Sequence, residues 1–161
     1  MKFAHFDKQK GFTLIELLIV IVIIAALAVT VFVALNPVKR LADARDARRT
    51  ADVETILTAI HEYIVDNKGA LPTGLSTSMA ETQLGTSATA CGIVQAGCNS
   101  STTACLDLTS TLSKYLKSIP VDPGASYSAS KTGYTVTVDA NNIITVKACG
   151  AEDTSSISQS R

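Results

Sequence analysis

The residues able to do chemistry in this 161-residue chain are few and scattered. Glu16 is the first, an acid just inside the start of a long apolar run. An ionisable group within a membrane span costs on the order of 2.5–3.5 kcal/mol. A place in the first helical turn offsets roughly 0.3–1 kcal/mol of that through the positive end of the helix dipole, and the side chain can snorkel. Otherwise the acid needs an opposite charge beside it.

Four cysteines, Cys91, Cys98, Cys105 and Cys149, form the second group. Their first three stand in a Cys-x6-Cys-x6-Cys pattern with no histidine nearby, which is not the spacing of a structural zinc site. An even count suits disulfides in a domain held outside the reducing cytoplasm. Four cysteines allow three connectivities, and spacing does not choose among them. The working expectation is Cys91–Cys98 locally and Cys105–Cys149 tying the loop's end to the last strand.

Asp122 and Asp139 are the calcium candidates, although no dense run of acids surrounds either and calcium takes about six to eight oxygens. Aspartate at both positions also suits ordinary turn chemistry. The histidines are His5 and His61, the latter expected as a half-exposed filler on a helix. No Ser-His-Asp set, Gly-rich phosphate loop or close carboxylate pair is present, so neither an enzyme nor a bound cofactor is expected. The 14 basic and 14 acidic residues cancel, and no strongly basic field invites nucleic acid to the subunit alone.

The element that must position Glu16 is the apolar run itself. From Leu17 to Leu35 the only polar residue is Thr30. As a helix this run spans roughly 28 Å, close to the ~30 Å hydrocarbon thickness of a bilayer. A secretory signal has a shorter apolar region, about 7–15 residues, ending in a small-residue cleavage site, and that does not fit. A plain anchor fits the length but leaves the acid unexplained.

Lys10-Gly11-Phe12-Thr13-Leu14-Ile15-Glu16, followed by the unbroken apolar helix, resembles the processing site of the type IV pilin family, which includes the pseudopilins of type II secretion. The resemblance implies that a membrane aspartyl peptidase cuts after Gly11 and N-methylates the new terminal Phe12. Residues 1–11, with His5, would then be a basic leader removed on maturation. Glycine suits such a site because an extended backbone can lie close to a protease there. The resemblance further implies that Glu16 pairs with the freed amine of a neighbouring Phe12, setting the register of a helical homopolymer. Its partners would be the prepilin peptidase and methyltransferase, an inner-membrane assembly platform, and membrane lipid before assembly.

Two indications of topology conflict. Three lysines precede the span, while Lys39, Arg40, Arg45, Arg48 and Arg49 follow it, and counting them would put the downstream side in the cytoplasm. The resemblance and the cysteines put the head outside, as periplasmic pseudopilus or extracellular pilus, and are given precedence. Without residues 1–11, which carry Lys2, Lys8, Lys10 and Asp7, the chain keeps 11 basic and 13 acidic residues.

The resulting expectation is an α+β, pilin-like fold: a long N-terminal helix, half transmembrane and half amphipathic, packed on a small C-terminal antiparallel sheet. Residues 12–37 form the hydrophobic assembly helix, and residues 38–161 the neck helix and head. Pro37 should bend or loosen the helix by depriving the Val33 carbonyl of its amide; the resemblance associates a proline near this depth with assembly. Val53, Ile56, Leu57, Ile60 and Ile64 recur at helical spacing, with Tyr63 flanking them. The stretch before them, KRLADARDARRTAD, has the composition of an exposed neck, with Arg48–Asp52 and Lys39–Asp43 at i,i+4. Gly69 is the expected left-handed cap at the end of a helix running from about Phe12 to Asp66.

Residues 73–105, rich in Thr, Ser, Ala and Gly, read as a long surface loop tethered by disulfides. Residues 106–119 read as a short helix with Leu108, Leu112, Tyr115, Leu116 and Ile119 as its stripe and Asp107 or Thr109 as its cap. The Pro120-x-Asp122-Pro123 step resembles major pseudopilins. Strands are expected over 126–129, 133–139 and 143–148, with a turn at 140–142 and a frayed tail from 150. The function expected is a structural subunit of a type IV pilus-like filament; the alternatives are a major pseudopilin of type II secretion, or a minor, adhesin-like or DNA-uptake pilin.

Overall fold

The computed structural model describes residues 11–153 and 156–161; the leader residues 1–10, including His5, lie outside the described residues. Two units divide between Arg40 and Leu41. The first unit contains α1, Leu14–Leu35. It begins on Leu14 rather than Phe12 because Thr13, in extended conformation, caps it. None of its side chains is buried, and its apolar composition is that of a span long enough to cross a membrane. Thr30, the one hydroxyl in the run, donates to the Leu27 carbonyl at 2.8 Å, so its side chain is satisfied within the helix.

The helical run to Asp66 is interrupted once. α1 ends at Leu35, Asn36 adopts a left-handed conformation (φ 39°, ψ 72°), and α2, Pro37–Asp66, begins at once. The residue before a proline is pushed out of the α region, and asparagine tolerates the left-handed one. Pro37 then occupies the first turn of α2, where its missing N–H costs nothing. The Asn36 carbonyl and side-chain oxygen accept from the Arg40 and Lys39 amides at 3.2 and 3.4 Å. The expected loosening at Pro37 is therefore a complete stop and restart, one residue earlier.

The second unit is α+β and pilin-like: α2 packs on a four-stranded antiparallel sheet. The sheet runs in the order β1 (Met79–Gln83), β4 (Tyr134–Val138), β5 (Ile144–Ala148), β6 (Ile157–Ser160). The stripe Val53, Ile56, Leu57 and Ile60, with Ala59, is buried against Tyr134, Val136, Val138, Ile144, Val146 and Ala148. These strand residues alternate along β4 and β5 and pair across them in register. Each buried aliphatic side chain of this kind contributes about 1.5–3 kcal/mol. Leu75, Leu84, Leu108, Leu112 and Ile157 close the core.

The other face of β4 is covered too. β2 (Ile93–Gln95) and β3 (Cys98–Ser100) form a separate hairpin, and Cys98 of β3 lies 3.5 Å from the Thr135 hydroxyl. Residues 73–105 are thus no structureless loop but contain three strands. Residues 106–119 form turns rather than a helix: the Asp107 carboxylate accepts from the Thr109 amide, and Leu112 and Leu116 anchor successive turns. Leu108 and Leu112 are buried all the same. Apolar spacing was right about the face and wrong about the backbone, because the Asp107 carboxylate takes the Thr109 amide and the Ser113 hydroxyl takes the Ser110 carbonyl, competing locally for backbone hydrogen bonds.

Residues 126–129 make only an isolated bridge, Ser128 to Lys131. Within the expected frayed tail, Ile157–Ser160 instead pair with β5 as the sheet's edge. At the end of α2 the left-handed cap is Lys68 (φ 57°), not Gly69. The Lys68 amide reaches the Val65 carbonyl and the Gly69 amide the Ile64 carbonyl, the two bonds of a Schellman motif, with Gly69 following at φ 91°.

Candidate functional site

Gly11 and Phe12, the residues expected at the processing step, stand clear of other side chains. Phe12 is 91% exposed, and a side chain placed on Gly11 would meet nothing within 4 Å. Unobstructed backbone of this kind suits a peptidase cleft. Immediately after it, Thr13 and Glu16 form a reciprocal capping box. One Glu16 oxygen, Oε2, accepts from the Thr13 amide at 2.8 Å and from its hydroxyl at 2.9 Å; Thr13 Oγ1 accepts from the Glu16 amide at 3.3 Å. Glu16 Oε1 accepts no hydrogen bond among the described residues. The carboxylate is thus held at the mouth of the helix with one oxygen still open. The sequence signal was available in Thr-x-x-Glu before an apolar run.

The four cysteines are paired, but not as expected. Cys91 joins Cys105 and Cys98 joins Cys149, with Cα separations of 5.1 and 5.5 Å. The β2–β3 turn explains the difference. Hairpin pairing sends Cys98 inward onto β4, where the end of β5 brings Cys149, while Cys91 and Cys105 flank the hairpin's base. Sequence proximity favoured Cys91–Cys98, and the unforeseen strands rule it out.

The calcium candidates are both otherwise engaged. Asp139 Oδ1 accepts from the amides of Asn141 and Ile143 at 2.8 and 2.7 Å, closing the hairpin turn in which Asn142 is left-handed. Asp122 is buried and bound to Arg49, Nε to Oδ2 at 2.7 Å and Nη2 to Oδ1 at 2.9 Å. Among the described residues no three His, Cys, Asp or Glu side chains gather as a metal site. His61 is half-buried on α2, and its Nε2 is buried without a hydrogen-bond partner in the described structure. Burial and the charge of Arg161 push its imidazole below the usual range.

Arg49 is the residue the sequence reading missed. Expected on an exposed neck, it is 1% exposed and among the largest buried side chains. Besides Asp122 it binds Asp46 at 2.7 Å and Glu152 at 3.0 Å through Nη1. Glu152 also pairs with Arg45, and Asp46 accepts from the backbone amides of Glu152 and Asp153. The cluster fastens α2 to the turn at Asp122 and to the segment that leads into β6. Its hydrogen bonds from Arg45, and then from Arg49, lower the Glu152 carboxyl to about 2. The carboxylates, Asp122 first, raise the guanidinium of Arg49 far above its usual range. The signal for burial was its spacing: Arg49, Val53, Ile56 and Ile60 share one helical face.

Two glycines leave room for this pair. A Cβ on Gly150 would lie 2.5 Å from Asp122 Oδ2, and one on Gly133 2.9 Å from Asp122 Cβ.

Compared with known proteins, the prokaryotic N-terminal methylation motif matches residues 6–32. No curated protein and no solved structure matches the chain. The match covers Gly11, Phe12, Glu16 and most of α1, and this chain therefore carries at residues 6–32 the signature of type IV pilins and pseudopilins.

Proposed function

We propose that the mature chain is the structural subunit of a type IV pilus-like filament, cut after Gly11, N-methylated on Phe12 and polymerised through α1. The observation that supports this most is α1 itself: an apolar helix with no buried side chain, lying largely within a matched methylation motif and opened by an acid. Before assembly the helix is satisfied by inner-membrane lipid. Afterwards the same face is satisfied by other copies, delivered by an assembly platform.

Cutting turns the Phe12 amide into an ammonium at a depth similar to that of Glu16. Each charge is expensive in lipid alone, and pairing them rewards one register of neighbouring helices. Glu16 Oε1, open beside the capping box, is the acceptor proposed for the next subunit's amine. The Pro120-x-Asp122-Pro123 step favours a second reading, a major pseudopilin of type II secretion, in which the filament stays short and periplasmic. A minor pilin that binds through residues 73–105 is the third.

Glu16→Val tests the pairing role. The variant should insert and be cut normally yet yield few sheared, pelletable filaments; a normal filament yield would refute it.

A further inference from the structure

We infer that the face of α2 opposite its buried stripe is where a second copy of this chain docks, parallel and shifted by 14 residues, so that Arg40 meets Glu54 and Arg48 meets Glu62. The inference rests on the filament reading and adds to it a contact outside the membrane span, made with a different copy from the one whose Phe12 amine meets Glu16, since that pairing needs a shift nearer four residues.

Charge along α2 is strongly segregated. Residues 37–50 carry Lys39, Arg40, Arg45, Arg48 and Arg49 against Asp43 and Asp46, while residues 51–66 carry Asp52, Glu54, Glu62 and Asp66 with no lysine or arginine. The first turn has no acid and the last turn no base. This order opposes the helix dipole, which favours acids at the start and bases at the end. Helix stability therefore does not account for it.

Several of these charges are used within the chain. Arg45, Asp46 and Arg49 belong to the buried cluster, Asp66 binds Lys114, and Asp52 accepts from the Tyr134 hydroxyl. Arg40, Glu54 and Glu62 are exposed and make no ion pair among the described residues. Arg48 is exposed and has only a loose 3.7 Å contact with Asp52.

These four residues share a register. Arg40 precedes Glu54, and Arg48 precedes Glu62, by the same 14 positions, about 21 Å along a helix. On helical periodicity all four fall within an arc of roughly 120°, opposite Val53, Ile56 and Ile60. One displacement thus aligns both pairs at once. The acids flank a shallow groove of about 390 Å³ whose floor is Ala51, Thr55, Thr58 and Ala59, with Tyr115 also lining it. Each docked copy leaves its own acids open to the next, and such a head-to-tail contact propagates without closing.

The test uses the full chain in cells that process it, with filaments sheared, pelleted and quantified. Glu54→Arg with Glu62→Arg, and separately Arg40→Glu with Arg48→Glu, should each lower filament yield at least about tenfold. The quadruple exchange should restore it to within about twofold, helped by a charge order that suits the helix dipole. Wild-type yield from either double variant would overturn the inference, as would failure of the quadruple variant to recover. Absence of filaments from the wild-type chain would instead overturn the filament reading, and this inference with it.

Discussion

Arg49 and Asp122, 73 residues apart in sequence, meet through two parallel hydrogen bonds of 2.7 and 2.9 Å inside the head. The bidentate fork fixes orientation as well as charge. It locks the neck helix to the turn that precedes the central strand, and Asp46 and Glu152 complete the coordination of the guanidinium.

Arg49→Met should keep the volume but strand Asp122 and Asp46 without their cation. Removing one partner of a buried pair costs about 3–5 kcal/mol. Denaturant unfolding of the oxidised protein checks this, and Arg49→Lys should recover only part of the loss because an ammonium cannot form the fork. A stability change under about 1 kcal/mol in Arg49→Met would contradict the assignment.

Acid should loosen the same cluster. The Glu152 carboxyl is held near 2, against an ordinary value of 4.5, by hydrogen bonds from Arg45 and then Arg49. Burial alone would raise Asp46, but the Asp153 amide, Arg49 and the Glu152 amide together keep it below its usual range. A depressed folded-state value means the stabilisation is complete above the unfolded value and is lost as pH falls through the folded one. The cluster's contribution to thermal melts should therefore be complete above about pH 4.5 and be lost between about pH 4.5 and 2, distinct from the earlier loss that the lowered His61 imidazole causes as pH falls below 6.5. Glu152→Gln should lessen the loss between about pH 4.5 and 2.

The disulfides should be unequal. Cys98–Cys149 closes a 51-residue separation and Cys91–Cys105 one of 14. Loop-closure entropy gives about 4 and about 3 kcal/mol for loops of these sizes. Paired serine replacement of Cys98 and Cys149 should thus lower the melting temperature more than the same change at Cys91 and Cys105. Peptide mapping without reduction should recover those two linked pairs and no Cys91–Cys98 fragment.

At the start of α1, Thr13→Ala should remove the hydroxyl that receives the Glu16 amide while Thr13→Ser retains it. Losing an N-cap of this type costs about 0.5–2 kcal/mol, or roughly two- to thirty-fold faster amide exchange over the first turn in micelles. Equal protection in the alanine variant would show that the capping box contributes nothing there.

Local signals in the sequence were enough for some of this. The apolar run, the stripe from Val53 to Ile60 and the alternation of Tyr134, Val136 and Val138 each state their periodicity within a few residues, and the structure follows them. What was illegible depends on residues far apart in the chain. Met79–Gln83 becomes a strand because β4 offers an edge, and Ile157–Ser160 because β5 offers the other. Neither segment alternates cleanly enough to announce itself.

The cysteine pairing fails from sequence for the same reason, since it follows the β2–β3 hairpin. Arg49 was hidden by its neighbours. Arg45 and Arg48 made the stretch look solvated, although its position on the Val53 face said otherwise. Thr13 and Glu16 were read singly, as a matched motif and a costly acid, when their spacing also spelled a cap.

The central claim is that α1 is a processed assembly helix, and mass spectrometry of the N-terminus of sheared, pelleted filaments tests it most directly. The account predicts chains that begin at Phe12 and carry one added methyl group on its amine. Functional native protein that keeps Met1 to Gly11 and remains a single membrane-embedded species would contradict it.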